Sequence, residues 1–156
     1  EGREYSPVCL YAATKQAFEA LMQYYIEAYD ISVVTLKLTD TYGPNDPRPK
    51  LLNQIRKASA EGTTLAMSPG EQDVDFVHVN DVVEAFCMAV DLLLEGRTNG
   101  HTRYWVSRGK QQSLRNFVEE FVLQEGLNVK INWGARNYRK REMMSISPVH
   151  SIIFDN

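Results

Sequence analysis

A β-branched apolar run, Ile31-Ser32-Val33-Val34-Thr35-Leu36-Lys37-Leu38, does most to limit what this chain can fold into. It reads as a buried strand of a parallel sheet. A helical segment from Tyr11 to Tyr29, ended by Asp30, comes before it. Thr39-Asp40-Thr41-Tyr42-Gly43-Pro44-Asn45-Asp46-Pro47-Arg48-Pro49 comes after it. Three prolines, a glycine and two aspartates predict a long loop there. It lies at a strand's carboxyl end, where open α/β sheets bind ligands.

The alternation continues. Lys50 to Ala60 reads as a helix with Leu51, Leu52 and Ile55 inward and Gly62 as its stop. Leu65-Ala66-Met67 is a short strand, Ser68 to Gln72 a turn, and Asp75 to Val79 another extended run. Asn80 or Asp81 caps the next helix, whose apolar stripe is Val82, Phe86, Ala89, Val90 and Leu93. Tyr104-Trp105-Val106 is a strand; Ser113 caps a helix from Leu114 to Gln124 that Gly126 closes; Val129 to Trp133 is a strand. Strands alternating with helices predict the α/β class.

Tyr11-Ala12-Ala13-Thr14-Lys15 carries the chemistry. Residues four apart share one helix face, so a phenol and an ammonium lie one turn apart. A nearby cation favours the phenolate and is expected to lower the tyrosine pKa from about 10. A phenol so tuned can exchange a proton with a carbonyl or alcohol. The bland reading is a packed tyrosine beside a solvated lysine, since short motifs recur by chance. Context favours the functional one. Ser6-Pro7-Val8-Cys9-Leu10 is a non-helical lead-in, and the small Ala12, Ala13 and Thr14 leave room for a flat ring. Phe18, Leu21, Met22, Tyr25 and Tyr29 follow at helical spacing as a core or interface face.

With 156 residues and 44% hydrophobic content the chain can bury a substantial core. A net charge of −3 leaves no global basic field for nucleic acid, and no apolar run has membrane-spanning length. Cys9 and Cys87, far apart in apolar stretches, suit a reducing compartment such as the cytoplasm. No metal-ligand spacing links them to His78, His101 or His150. Glu1-Gly2-Arg3-Glu4-Tyr5 reads like the middle of a loop, so the chain is expected to begin inside a longer protein.

These residues, in this order, resemble the extended short-chain dehydrogenase/reductase family, in particular its nucleotide-sugar epimerases, dehydratases and reductases. Tyr11 and Lys15 are similar to its Tyr-x-x-x-Lys pair, and Leu36 to Pro44 to its strand and Tyr-Gly-Pro loop. Gln72 to Asp81 is similar to its downstream Gln-x-x-Asp-Phe-Val-His-Val-x-Asp motif, and Tyr104-Trp105-Val106 with Ser113-Leu114-Arg115 to the strand and helix after it. The resemblance implies the carboxyl-terminal part of a Rossmann-type doubly wound sheet plus a small α/β substrate-binding subdomain. Residues 1–49 would end the dinucleotide-binding domain, and 50–156 would mainly form the substrate part, with segments returning. Tyr11 would be the acid/base. Lys15 would lower its pKa and bond the nicotinamide ribose of NAD or NADP. The backbone around Thr41 and Tyr42 would lie near the nicotinamide end. Asp40, Lys50 and Arg139 would meet a nucleotide diphosphate sugar. Pairing into a homodimer would run through the Tyr11–Tyr29 helix. Ser68 to Gln72, Asn132-Trp133-Gly134 and Arg139-Lys140-Arg141-Glu142 look most like reductases of CDP-linked 4-keto-6-deoxy sugars.

The chain departs from the family pattern in four places. No Gly-x-x-Gly-x-x-Gly turn follows any strand, and the family's catalytic Ser or Thr would precede Glu1. Val74 stands where many epimerases have a phosphate-gripping Arg. Asp40 replaces a frequent Asn; a carboxylate repels a diphosphate, so it suits a sugar hydroxyl or a backbone amide better. His78, between Val77 and Val79, reads as structural, Asp81 as a cap, and Trp105 and Trp133 as core. Arg136, Arg139, Lys140 and Arg141 form the densest basic cluster, a solvated surface or a diphosphate clamp, with Arg139 chosen within it. Lys50 could face a phosphate or water. Two readings follow: an enzyme of which this chain is the carboxyl-terminal part, inactive alone, or a non-catalytic binding or dimerisation module.

Overall fold

The computed structural model describes residues 7–146 and 152–155. The expectations for Glu1–Tyr5, Ser6 and His150 lie outside them. In chain order the elements are α1 (Leu10–Tyr29), β1 (Val33–Leu38), β2 (Asp40–Tyr42), α2 (Leu51–Glu61), β3 (Thr64–Ala66), β4 (Asp73–Val74) and β5 (Phe76–His78). Then come α3 (Val79–Leu94), β6 (His101–Val106), β7 (Gln112–Ser113), α4 (Leu114–Gln124), β8 (Lys130–Asn132) and a closing 3-10 turn, Ile153–Asp155. The class is α/β, in two compact units: residues 7–38, 81–106 and 152–155, and residues 39–80 and 107–146.

In the first unit, α1 is built from strong helix formers and stops where Asp30 turns left-handed (φ 50). β1 pairs in parallel with β6, Val33 opposite His101 through Leu38 opposite Val106, and Trp105 bridges Ile152. The buried strand expected over Ile31–Leu38 is shorter and only half-buried: it starts at Val33, and Ile31 and Leu38 are exposed. β1 has one hydrogen-bonded neighbour among the described residues. α3 buries Val82, Ala85, Ala89 and Leu92. This corrects the expected stripe, because Phe86, Val90 and Leu93 are exposed. The helix is phased on Ala85 and Ala89, whose small side chains admit close packing, and that phase turns Phe86 outward. On α1 nothing is buried: Phe18, Leu21, Tyr25 and Tyr29 are exposed, so the stripe is not core. Cys9 and Cys87 are exposed free thiols.

The second unit has its own core, in which Leu52 and Ile55 of α2 meet Met67, Val74 and Leu114, Val118 and Phe121 of α4. Truncating one such side chain to alanine costs about 2–5 kcal/mol. The loop expected over Thr39–Pro49 contains β2, which pairs in parallel with β5 (Thr41 opposite Val77). β3 pairs in parallel with β8 (Leu65 opposite Ile131), and β4 antiparallel with β7. α4 begins as expected: Ser113 Oγ accepts the Asn116 N–H at 3.2 Å. α3 does not. It starts at Val79, and His78 Nδ1 accepts the Asn80 N–H at 3.2 Å, so His78 does the capping and Asp81 lies in the first turn. Trp133 is half-buried against the core, as Trp105 is in the first unit. Gly70 (φ +80) is forced by Trp133: a Cβ there would lie 2.7 Å from the indole.

Candidate functional site

On α1 the phenol and the ammonium stay together. Lys15 Nζ lies 5.3 Å from the Tyr11 ring centroid, within cation–π range. Thr14 Oγ1 donates to the Tyr11 carbonyl at 2.8 Å, which keeps the hydroxyl of Thr14 on the backbone and off the ring. Tyr11 is 70% exposed, and Lys15 forms no ion pair among the described residues. A phenol and a free ammonium side by side suit a ribose hydroxyl and a carbonyl, so this donor set fits the nicotinamide end of NAD or NADP. The pyrophosphate end finds no matching cradle among the described residues. Among the described residues α1, α2, α3 and α4 are entered through Cys9, Lys50, His78 and Ser113, not through a glycine turn.

The second unit gathers Asp40, Thr41, Tyr42, Lys50 and Arg139 around one cleft of about 330 Å³. A second cleft of about 370 Å³ adjoins it; Asp40, Leu51, Gln54 and Arg139 line both. Met67, Gln72 and Arg136 line the second alone. The first wall is the Tyr-Gly-Pro loop. The Arg48 guanidinium grips the Asp46 carboxylate twice at 2.7 Å, and Asn53 Nδ2 donates to the carbonyls of Asp46 (2.7 Å) and Arg48 (2.9 Å). Those Arg48 bonds pull the Asp46 carboxyl down to about 2, with the Lys50 charge adding to the effect. Gly43 has no room for a side chain, because a Cβ would meet Val79 Cγ1 at 2.6 Å. Lys50 Nζ reaches the Thr41 carbonyl at 3.4 Å.

The far wall is the basic segment. Arg136 N–H donates to the Met67 carbonyl at 3.0 Å, and the Tyr138 hydroxyl accepts the Glu71 N–H at 3.1 Å. Arg139 and Glu142 close a turn on each other: the Arg139 N–H donates to Glu142 Oε2 at 3.2 Å, and the Glu142 N–H to the Arg139 carbonyl at 3.0 Å. The Arg139 guanidinium takes no part in that turn. Lys50, Arg136 and Arg139 have no ion pair among the described residues, whereas Arg48 and Arg56 are neutralised by Asp46 and Glu125. The carboxylates of Asp40, Asp46 and Glu142 line the same clefts, and the Lys50 charge acts on Asp46; the guanidinium groups of Arg136 and Arg139, outside any ion pair among the described residues, are donors of the kind that suit a phosphate. Val74, in the family's Arg position, is buried in the core and adds no charge.

Sequence reasoning selected Arg139 from its cluster but not Arg136, and it passed over Glu19 of α1. Glu19 bonds Lys37 and Arg103. A lysine inside an otherwise apolar strand was the available signal. Among the described residues no group of metal-ligating side chains converges, and no helix is long and apolar enough to cross a membrane.

The family model described as "NAD dependent epimerase/dehydratase family" matches residues 1–103. The CDP-abequose synthase of Salmonella typhimurium is 31% identical over 86% of this chain and 45% of its own length. That of Salmonella muenchen is 29% identical over 91% and 48%. The chain therefore spans about half the length of these relatives. UDP-glucose 4-epimerase from Brucella ovis, solved in complex with NAD, superposes with a TM-score of 0.75 at 23% identity, over 93% of this chain and 49% of that one. That likeness shows the fold, the Rossmann type. The chain belongs to the NAD-dependent epimerase/dehydratase family.

Proposed function

We propose that this chain forms the sugar-nucleotide part of an NAD(P)-dependent enzyme that reduces, epimerises or dehydrates the sugar of a nucleoside diphosphate sugar. The observation that carries the reading is the convergence of Lys50, Arg136 and Arg139, none in an ion pair among the described residues, on two adjoining clefts that Asp40 also lines. Arg139, on the shared wall, holds the diphosphate through paired donors. Asp40 accepts from a sugar hydroxyl. Tyr11 exchanges a proton with a sugar oxygen. Lys15 holds a hydroxyl of the nicotinamide ribose, and Thr41 and Tyr42 offer backbone groups at the nicotinamide end. When bound, NAD or NADP carries the hydride. The CDP-abequose synthase relatives support a CDP-linked substrate. The division of labour is residues 1–49 for the cofactor and 50–156, with returning segments, for the sugar nucleotide. With no glycine turn, the chain is inactive alone. The exposed Phe18, Leu21, Tyr25 and Tyr29 form a homodimer face, and the two free thiols fit the cytoplasm. The same exposed face supports the second reading, a non-catalytic dimerisation module.

Calorimetry with CDP and with cytidine separates the two. The enzyme reading predicts that CDP binds and that Arg139→Gln weakens it about ten- to a hundredfold, the worth of a charged hydrogen bond of about 1.5–3 kcal/mol. Equal heats for CDP and cytidine, or no binding of either, would contradict it.

A further inference from the structure

We propose that Glu19 is a positioning residue: clamped between Lys37 of β1 and Arg103 of β6, it sets the register of α1 and so the place of Tyr11 and Lys15. The role rests on the reading of Tyr11 as acid/base.

The half-buried positions of α1 include Ala12, Glu19, Met22 and Ile26, spaced at i, i+7, i+10 and i+14. They form the inward face, and a carboxylate stands in its middle. The rest of that face is a methyl group, a flexible thioether and one isoleucine. Such contacts hold a helix against a sheet without fixing where along it the helix sits. Glu19 fixes it. One carboxylate oxygen bonds Lys37 Nζ, and the other accepts from Arg103 Nε at 3.1 Å. Thr35 lies opposite Arg103 in the ladder. Thr35 and Lys37 share one face of β1, and His101 and Arg103 one face of β6. His101 braces the arginine: its Nδ1 accepts from the guanidinium at 2.7 Å, and its Nε2–H donates to Thr35 Oγ1 at 2.8 Å. The sheet face under α1 is therefore polar where a Rossmann-type interface is ordinarily apolar.

Glu19, Lys37 and Arg103 keep only 17%, 29% and 34% of their side-chain surface. A half-buried triad adds little stability over apolar packing, but sliding the helix by one residue strands all three charges. Register is what such a group secures. Burial pushes the Glu19 carboxyl up; the bonds from Lys37 and Arg103 outweigh it, and the group titrates below the ordinary carboxylate range. Tyr11 lies eight residues along the helix, about 12 Å away, and Lys15 one turn away. Both follow any slip, and a misplacement of about 1 Å at a reacting group can cost on the order of a hundredfold in rate.

Cys9, at the start of α1, and Cys87, on α3, are exposed, free and in the same unit, so spin labels on them report where α1 sits. The wild-type chain should give one narrow distance peak. Glu19→Gln should broaden or displace it by about 1.5 Å or more, the rise of one residue, at unchanged helix content. A purely stabilising role would lower the melting temperature and leave the peak alone, and that result overturns the proposal. If Glu19→Gln does not fold, Glu19→Asp, with its shorter reach, should show the same displacement, and a wild-type peak again overturns it. In the assembled enzyme Glu19→Gln should lower kcat about a hundredfold with KM for the sugar nucleotide unchanged. If Tyr11→Phe keeps full turnover there, the reading of Tyr11 falls, and the spin labels still decide the clamp.

Discussion

The helices of the two units use apolar residues in opposite ways. α2 and α4 bury Leu52, Ile55 and Ala58, and Leu114, Val118 and Phe121, inside their own unit. α1, the longest helix, buries nothing and leaves Phe18, Leu21, Tyr24, Tyr25 and Tyr29 in the open. Helical spacing of apolar residues marks a face that is built to be covered; it does not say what covers it. In the second unit the cover is the unit itself, so its clefts come with formed walls. In the first, the face beside the candidate acid/base is bare, and an ion triad holds the helix to the sheet.

The largest effect should come from cofactor. Titrated with NADPH, the 156-residue chain should give no detectable heat, because in the proposed reading the donors on α1 would meet only one end of the dinucleotide and no helix start among the described residues offers a pyrophosphate cradle. Tight binding would break the contrast between the walled clefts of the second unit, proposed for the sugar nucleotide, and the open face of α1, proposed for one end of the cofactor. Next, Ile55→Ala should cost about 2–5 kcal/mol in denaturant unfolding, whereas Leu21→Ala on the open face of α1 should stay within about 0.5 kcal/mol. Equal losses would mean that the α1 face is covered after all. Ser113→Ala should remove about 0.5–2 kcal/mol by uncapping α4. The smallest effect is one of pH. The folded Asp46 carboxyl titrates at about 2, below its ordinary 3.8, so its contribution is full above that ordinary value and fades as pH falls toward 2. Carbon-13 shifts of the Asp46 carboxyl should show the loop of residues 43–50 still tied at pH 3.

The alternation of helices and strands was legible in the sequence because apolar spacing and end signals such as Gly62 and Ser113 act locally. β2 was hidden because its three residues, Asp40–Tyr42, sit in a stretch dominated by proline and glycine, and their pairing with Phe76–His78 is a long-range fact. The phase of α3 was hidden as well: Phe86 outweighs Ala85 in any hydrophobicity pattern, but the smaller residue decides how closely the helix packs. At the site, residue chemistry pointed to Lys50 and Arg139. That Arg136 joins them depends on its backbone bond to Met67, which no spacing reveals. His78 as a cap was masked by Asn80 and Asp81, the more usual capping residues.

Tyr11 is the residue on which the proposed proton exchange depends. In the assembled enzyme, Tyr11→Phe removes one hydroxyl from α1 and nothing from the clefts of the second unit. Turnover should drop about 10²- to 10⁴-fold, the usual worth of a positioned acid/base, with sugar-nucleotide affinity unchanged. Turnover that survives the substitution would contradict the account.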